Sequence, residues 1–296
     1  MRVFLTGASG FIGSAIIDEL RGAGHEVVGL ARSDESATRL AAWGVRAHRG
    51  ELTDLDRLTQ GARACDGVIH CAFIHDFTRF AENIEIDAHA VEAMTAVLEG
   101  SGKPFVLTSG TAMISADRPA TEDDQAPPAG RGATEQIALD AAQRGVRASI
   151  MRLPQVHGQS DRGFAFGLIS MLIDLARRTG VAAYPAEGAN RWPAVHRLDA
   201  AWLYRLALEK AEPGTRLHCV AEEGVSLRAV SEVIAEGLGV PSKSLAADEV
   251  SDHFGWMAMF AGMDNRASSA LTRQRFGWAP RQPDLLADMR RAGAFS

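Results

Sequence analysis

The chain begins with an apolar run, Val3 to Thr6, and passes at once into Ile12 to Arg21, where apolar positions return every three or four residues. The run reads as a short buried strand and the longer period as an amphipathic helix. This alternation repeats. EVVGLA (26–31), VRAHRG (45–50), GVIHCAF (67–73), PFVLTSG (104–110) and VRASIMRLP (146–154) predict five further strands. Helices are predicted from a cap at Ser33 or Asp34 to Trp43, from a cap at Thr53 or Asp54 through Gly61, over 79–98, and from PPAGRGATEQIAL (127–139) on to Gln143. Apolar strands alternating with helices predict an α/β fold, a doubly wound parallel sheet covered on both faces. Ligands of such sheets bind beyond the carboxyl ends of the strands, where the strand order reverses.

From about Gly158 the rhythm loosens. A helix is expected near 164–179, a loop broken by glycine and proline over 184–193, a helix from Asp199 to Lys210 and a strand near 216–220. Further helices are expected near 226–238 and after Pro283. The division implied is a sheet domain over 1–157 and a smaller part over 158–296, interleaved with the last strands of the sheet.

Composition narrows the function. Hydrophobic residues make up 46% and charged residues 23% of the 296, values of a globular chain. The net charge of −6 comes without a basic cluster, which argues against nucleic acid or an anionic membrane as partner. No basic leader precedes a long apolar run, and no apolar segment reaches the ~20 residues that span a bilayer. A soluble cytoplasmic protein is expected. Cys65, Cys71 and Cys219 form neither a disulfide pattern nor a zinc spacing, and no metal site is expected.

TGASGFIG (6–13) joins the first strand to the first helix and sets Gly7, Gly10 and Gly13 three apart. The first glycine permits a tight turn, the second lets backbone approach a pyrophosphate, and the third lets helix pack on sheet. The helix N-terminus supplies open N–H groups to the diphosphate. The second strand ends Ala31-Arg32-Ser33, where an NAD site would carry an acid for the ribose 2′-hydroxyl. A guanidinium and a hydroxyl suit a 2′-phosphate, so NADP is favoured. Asp34 and Glu35 keep NAD open. After the third strand, Asp54 and Leu55 could cap the helix, flank the adenine, or do both.

With these pieces on view, the chain resembles the short-chain dehydrogenase/reductase superfamily, and within it the extended branch of epimerases and dehydratases. TGASGFIG, DGVIHCA, FVLTSGT, RLPQVHG, AVHRLDAA and FGWAPRQPDLLADM carry the resemblance over nearly the whole chain. It implies a seven-stranded nucleotide-binding sheet, a small C-terminal substrate part and a homodimer. The Ala-rich stretches 88–97 and 133–142 are compatible with such helix packing. It also implies dinucleotide contacts from Thr6, Ser9, Phe11, Ile12, Cys71, Ala72, Phe73, Arg131, Leu153 and Pro154, beside the residues already named.

The branch works with Tyr-x-x-x-Lys and a Ser or Thr after the fifth strand. Counted back from Glu135, that pair falls near Pro127 and Arg131, and the only tyrosines are Tyr184 and Tyr204. Arginine can supply charge but cannot relay a proton. The chain therefore resembles the atypical subgroups that keep the nucleotide motif without the pair. Candidates for the chemistry are Ser109, Thr111 and His157, the last because imidazole titrates near neutrality. His75, Phe77, Phe164, Tyr184, Trp192 and His196 are candidates for the substrate side, alongside the bland readings of loop, cap or core. The function expected is an NADP-preferring oxidoreductase reducing a carbonyl or activated double bond of a small apolar molecule. The alternatives are a non-catalytic NADP(H)-binding regulator and a nucleotide-sugar epimerase or dehydratase.

Overall fold

A computed structural model describes residues 1–114, 117–161, 163–291 and 293–295, the side chains of residues 77, 113 and 164 excepted. The first half runs β1 (Arg2–Thr6), α1 (Phe11–Gly22), β2 (Glu26–Ala31), α2 (Asp34–Ala42), β3 (Arg46–Arg49), α3 (Leu55–Ala64), β4 (Gly67–His70), α4 (Phe80–Ala96), β5 (Pro104–Gly110), α5 (Arg131–Gln143) and β6 (Arg147–Leu153). There follow β7 (Gln155–Ser160), β8 (Gly163–Ala165), α6 (Leu168–Thr179), β9 (Ala182–Pro185), β10 (Arg191–His196), α7 (Arg197–Lys210), β11 (Thr215–His218), β12 (Glu222–Ser226), α8 (Leu227–Leu238) and β13 (Ser242–Leu245). The chain closes with α9 (Ala247–Phe254), α10 (Ala258–Gly262), α11 (Ala270–Phe276) and α12 (Leu285–Met289).

Seven strands form one parallel sheet in the order β11-β6-β5-β4-β1-β2-β3. The order reverses between β1 and β4, which opens the crevice where such sheets take ligands. The continuous apolar strands have a simple cause. Val3 and Leu5 enter the core beneath α1 and α7, while Phe4 between them enters the opposite core with Phe105, Leu107 and Val91. Each face needs its own alternate residues, so the inner strands read as nearly continuous apolar runs. The buried alanines Ala90, Ala138 and Ala141 share that second core, where α4 packs on α5 within the one chain.

The smaller part is built on a four-stranded sheet, β12-β10-β7-β8, and a two-stranded one, β13-β9. The expected loop over 184–193 contains the end of β9 and the start of β10. Its signal was masked by Pro193, which sits at an irregularity in the β10–β12 register between Trp192 and Ala194, a place where a strand tolerates proline. Helix α7 starts two residues earlier than expected because His196, not Asp199, is its cap: the His196 Nδ1 accepts from the Leu198 N–H at 3.2 Å. Both α7 and β11 return to the large sheet, so the second half of the chain finishes the first half's fold.

A buried ion pair closes the α5 face. Arg152 on β6 donates from Nε and Nη2 to the two carboxylate oxygens of Glu135, at 3.0 and 2.7 Å, and from Nη1 to the Asp124 carbonyl at 2.8 Å. Arg152→Ala would leave the Glu135 carboxylate enclosed without its cation, a loss of about 3–5 kcal/mol for a pair of this kind. Urea unfolding should show that loss, and a change under about 1 kcal/mol would contradict the assignment.

Candidate functional site

The turn after β1 is set by close approach. Gly7 adopts φ +70°, and the Gly10 N–H returns to its carbonyl at 2.9 Å. A Cβ on Gly13 would stand 2.1 Å from the Gly7 oxygen, and one on Gly7 would stand 2.9 Å from the Ala72 nitrogen. Strand β1, helix α1 and the end of β4 therefore meet with no room for side chains. Gly10 caps α1 and offers no side-chain bond to it, so the first-turn N–H groups and the positive end of the helix dipole are left for a ligand. This cradle fits a diphosphate.

Around it, residues at the carboxyl ends of the strands stay partly accessible. Ser9, Phe11, Ile12, Cys71, Ala72, Phe73, Leu153 and Pro154 are half-buried, and Leu55 is 39% exposed. Thr6, expected among the contacts, is instead fully enclosed. Its hydroxyl oxygen accepts the N–H groups of both Cys71 and Ala72 at 3.1 Å and lies 2.9 Å from His70 Nδ1. With both lone pairs taken, the Thr6 proton must go to His70 Nδ1. The ring then carries its own proton on Nε2 and donates it to Asp87 Oδ1 at 3.1 Å.

At the end of β2, Arg32 is exposed. The Ser33 hydroxyl caps α2 by accepting from Ser36 N, which occupies part of the hydrogen-bonding capacity expected for a phosphate. A second guanidinium, missed in the sequence, stands here too. Arg49 pairs with Asp34 at 2.8 Å and donates to the Ser33 carbonyl at 2.7 Å. Only the adjacency of β2 and β3 brings it into place. Asp54 accepts from Arg57 N and caps α3.

At the ends of β5 and β6, Thr108 bonds the hydroxyl of Tyr204 at 2.6 Å. Tyr204 is fully buried, and burial raises its pKa well above the ordinary tyrosine value, so its phenol keeps its proton inside the core. Ser109 is 3% exposed and its hydroxyl has no hydrogen-bond partner among the described residues. Thr111 is enclosed and its Oγ1 lies 3.5 Å from the Leu153 carbonyl. Arg131 reaches the same place from the start of α5. Its Nη2 donates to the Thr108 carbonyl at 2.5 Å and its guanidinium lies over the Phe73 ring, 4.4 Å from the centroid.

His157 is elsewhere. It is 1% exposed, bonded through Nδ1 to Asp288 of α12 at 2.9 Å, with Nε2 4.0 Å from Glu222. Burial raises the pKa of Glu222. The His157 ring meets His196 edge-on, centroids 5.4 Å apart. The structure thus groups His157 and His196 in an enclosed cluster of the smaller part rather than with Ser109 and Thr111. Trp192 is buried and donates to the Met263 carbonyl. Tyr184 is half-buried on β9, with Arg228 beside its ring. His75 is exposed and lies edge-on to Phe73. The side chains of Phe77 and Phe164 lie outside the described residues.

One side chain missed in the sequence ties the smaller part to the turn. Arg197 donates to the Phe11 carbonyl, the Ser14 hydroxyl and the Gln159 carbonyl, at 3.0, 2.5 and 2.9 Å. The Asp199 carboxylate accepts the N–H groups of Arg281 and Gln282, both at 3.0 Å. This acid, where the helix was expected to begin, anchors the segment before α12.

Comparison with known proteins bears on this architecture. Residues 3–219 match the model of the NAD dependent epimerase/dehydratase family. The chain belongs to that family. It is 46% identical to an uncharacterized protein of Schizosaccharomyces pombe over 98% of both chains. It is 28% identical to the sterol-4-alpha-carboxylate 3-dehydrogenase, decarboxylating, of Dictyostelium discoideum, covering 76% of this chain and 73% of that one. Among solved structures, MoeE5 in complex with UDP-glucose and NAD has the same fold, with a TM-score of 0.76 at 23% identity over 100% of this chain and 97% of the other. Family membership supports a nicotinamide dinucleotide site in this chain. Among the described residues no group of side chains could hold a metal ion, and no helix is long and apolar enough to cross a membrane.

Two outcomes are expected. Gly13→Ala must push α1 off the turn, an overpacking that costs about 1–3 kcal/mol. Calorimetric affinity for a nicotinamide dinucleotide should fall ten-fold or more, and an unchanged affinity would contradict the cradle. His196 has its pKa lowered to about 4 from 6.5, first by burial and then by the neighbouring His157. The unfolded chain takes up this proton near pH 6.5 and the folded one only near 4, so stability should fall as pH drops between them. His196→Asn keeps a good cap and should flatten that slope in urea titrations at pH 7 and 4.5. Equal slopes in the two proteins would count against it.

Proposed function

We propose that this chain is an NADPH-preferring reductase acting on a carbonyl or activated double bond of a small, apolar substrate. The observation that carries the reading is the interlocked turn of Gly7, Gly10 and Gly13 below an uncapped α1. Gly7, Gly10, Phe11, Ile12 and the half-buried Cys71, Ala72 and Phe73 would hold the dinucleotide. When bound, the reduced nicotinamide supplies a hydride. NADP is favoured over NAD because β2 ends on Ala31 rather than an acid, Arg32 is exposed, and the nearest acid, Asp34, is already paired with Arg49. An apolar substrate is supported by Phe73 and the 43% exposed Phe80, ring centroids 6.2 Å apart, and by the sterol named for one relative.

Neither tyrosine suits epimerase or dehydratase proton shuttling: Tyr204 is locked in the core, and Tyr184 lies on β9. The same fact keeps a second reading, a dinucleotide-binding regulator without turnover. NADPH deuterated at C4 and incubated with a panel of apolar ketones and enones separates the two. Deuterium on the reduced carbon supports the reductase, and tight NADPH binding with no transfer supports the regulator. Arg32→Ala should weaken NADPH binding at least ten-fold and NADH binding less than three-fold. Equal losses would sink the NADP preference.

A further inference from the structure

Resting on the reductase reading, we infer that Arg131 is the catalytic residue that stabilises the substrate's oxygen, by fixed charge instead of proton donation. The guanidinium is held from three sides where β4 and β5 end. Nη2 donates to the Thr108 carbonyl, the Phe73 ring lies beneath the plane, and Nε faces Asp87 Oδ2 at 3.8 Å. The side chain is 17% exposed and Asp87 is fully enclosed, so the cation has an accessible edge and its counter-charge does not. Arg131 Nε and Asp87 Oδ2 are both buried without a hydrogen-bond partner among the described residues. The attraction therefore fixes the guanidinium without using up its N–H groups. Asp87 is in turn fixed by His70, whose ring is oriented by the Thr6 hydroxyl at the dinucleotide turn. Asp87 is a positioning residue.

The other candidates here are less suited. Arg152, in register with Ser109, is fully enclosed and committed to Glu135. Tyr204 is locked in the core, and Thr111 is enclosed. Reduction would break a C–H bond of the reduced dinucleotide, which is thereby oxidised, form a C–H bond at the carbonyl carbon and move the carbonyl π pair onto oxygen. Arg131 holds the resulting negative charge, and the oxygen then takes its proton from water. Because arginine stays charged up to about pH 12, the step needs no group that titrates near neutrality. A preorganised donor of this kind contributes about 10²–10³ in rate.

The test has two arms on the full chain. In the first, kcat for ketone reduction by wild type should be level from pH 6 to 9. Arg131→Gln should lose about 100-fold or more, and Arg131→Lys should recover at least ten-fold of it. An inflection near neutrality, or a Gln variant within three-fold of wild type, overturns the assignment. In the second arm, benzoate serves as an apolar anion and is titrated by calorimetry into the NADP⁺ complex. Wild type should bind it and Arg131→Gln should bind it at least ten-fold more weakly, while the NADP⁺ affinity of the two differs less than three-fold. No benzoate binding by wild type, equal binding by both, or a matching loss of NADP⁺ affinity overturns it. Benzoate binding that depends on Arg131 without any ketone turnover would instead sink the reductase reading and leave the anion site standing.

Discussion

The structure depends on one close contact, the approach of the β1–α1 turn to the end of β4. Gly7 and Gly13 make it sterically possible, and Thr6 makes it polar and specific. Where β4 ends, the Cys71 and Ala72 N–H groups find their partner in the enclosed Thr6 hydroxyl. One hydroxyl satisfies both, and an enclosed polar group left unmade would cost about 1–3 kcal/mol. The same hydroxyl fixes the His70 tautomer, and the ring passes that orientation to Asp87 beneath Arg131. The dinucleotide turn and the cation beside it are thus linked by a hydrogen-bond chain, Thr6–His70–Asp87, that ends in an ion pair to Arg131.

The two halves of the molecule are joined through the same region. Strand β11 and helix α7 come from the second half but complete the first half's sheet and core. Arg197 bridges the first turn of α1 to Gln159 on β7, so displacement of the smaller part pulls on the turn that would hold the diphosphate. Asp199 fastens the segment leading to α12, which in turn encloses His157 through Asp288. His157 is therefore part of the smaller part's internal bracing. Its imidazole, attractive from sequence because it follows β6 closely, turns inward once β7 pairs with β10.

The large sheet was legible because its inner strands β1, β2, β4, β5 and β6 are buried along most of their length, and the turn because glycine spacing is dictated by steric contact. What was not legible depends on lateral neighbours. Arg49 matters only because β3 lies beside β2, and Tyr204 only because α7 lies beneath β4 and β5. Strand β10 was hidden by Pro193, whose effect is absorbed at a register shift that no local pattern announces. Thr6 reads as a nucleotide contact by its place in the motif, yet it faces the core, where strand alternation puts it with Phe4 on the α4 side. The short helix start at PPAGRGATEQIAL lacks a phenol and carries Arg131 instead. Only the fold shows that this arginine ends against Thr108 and Phe73.

Calorimetric titration of the full chain with NADPH, followed by NADH, tests the central claim most directly. The account predicts one NADPH per chain with an affinity at least ten-fold tighter than that for NADH. A flat NADPH titration of folded protein would contradict it.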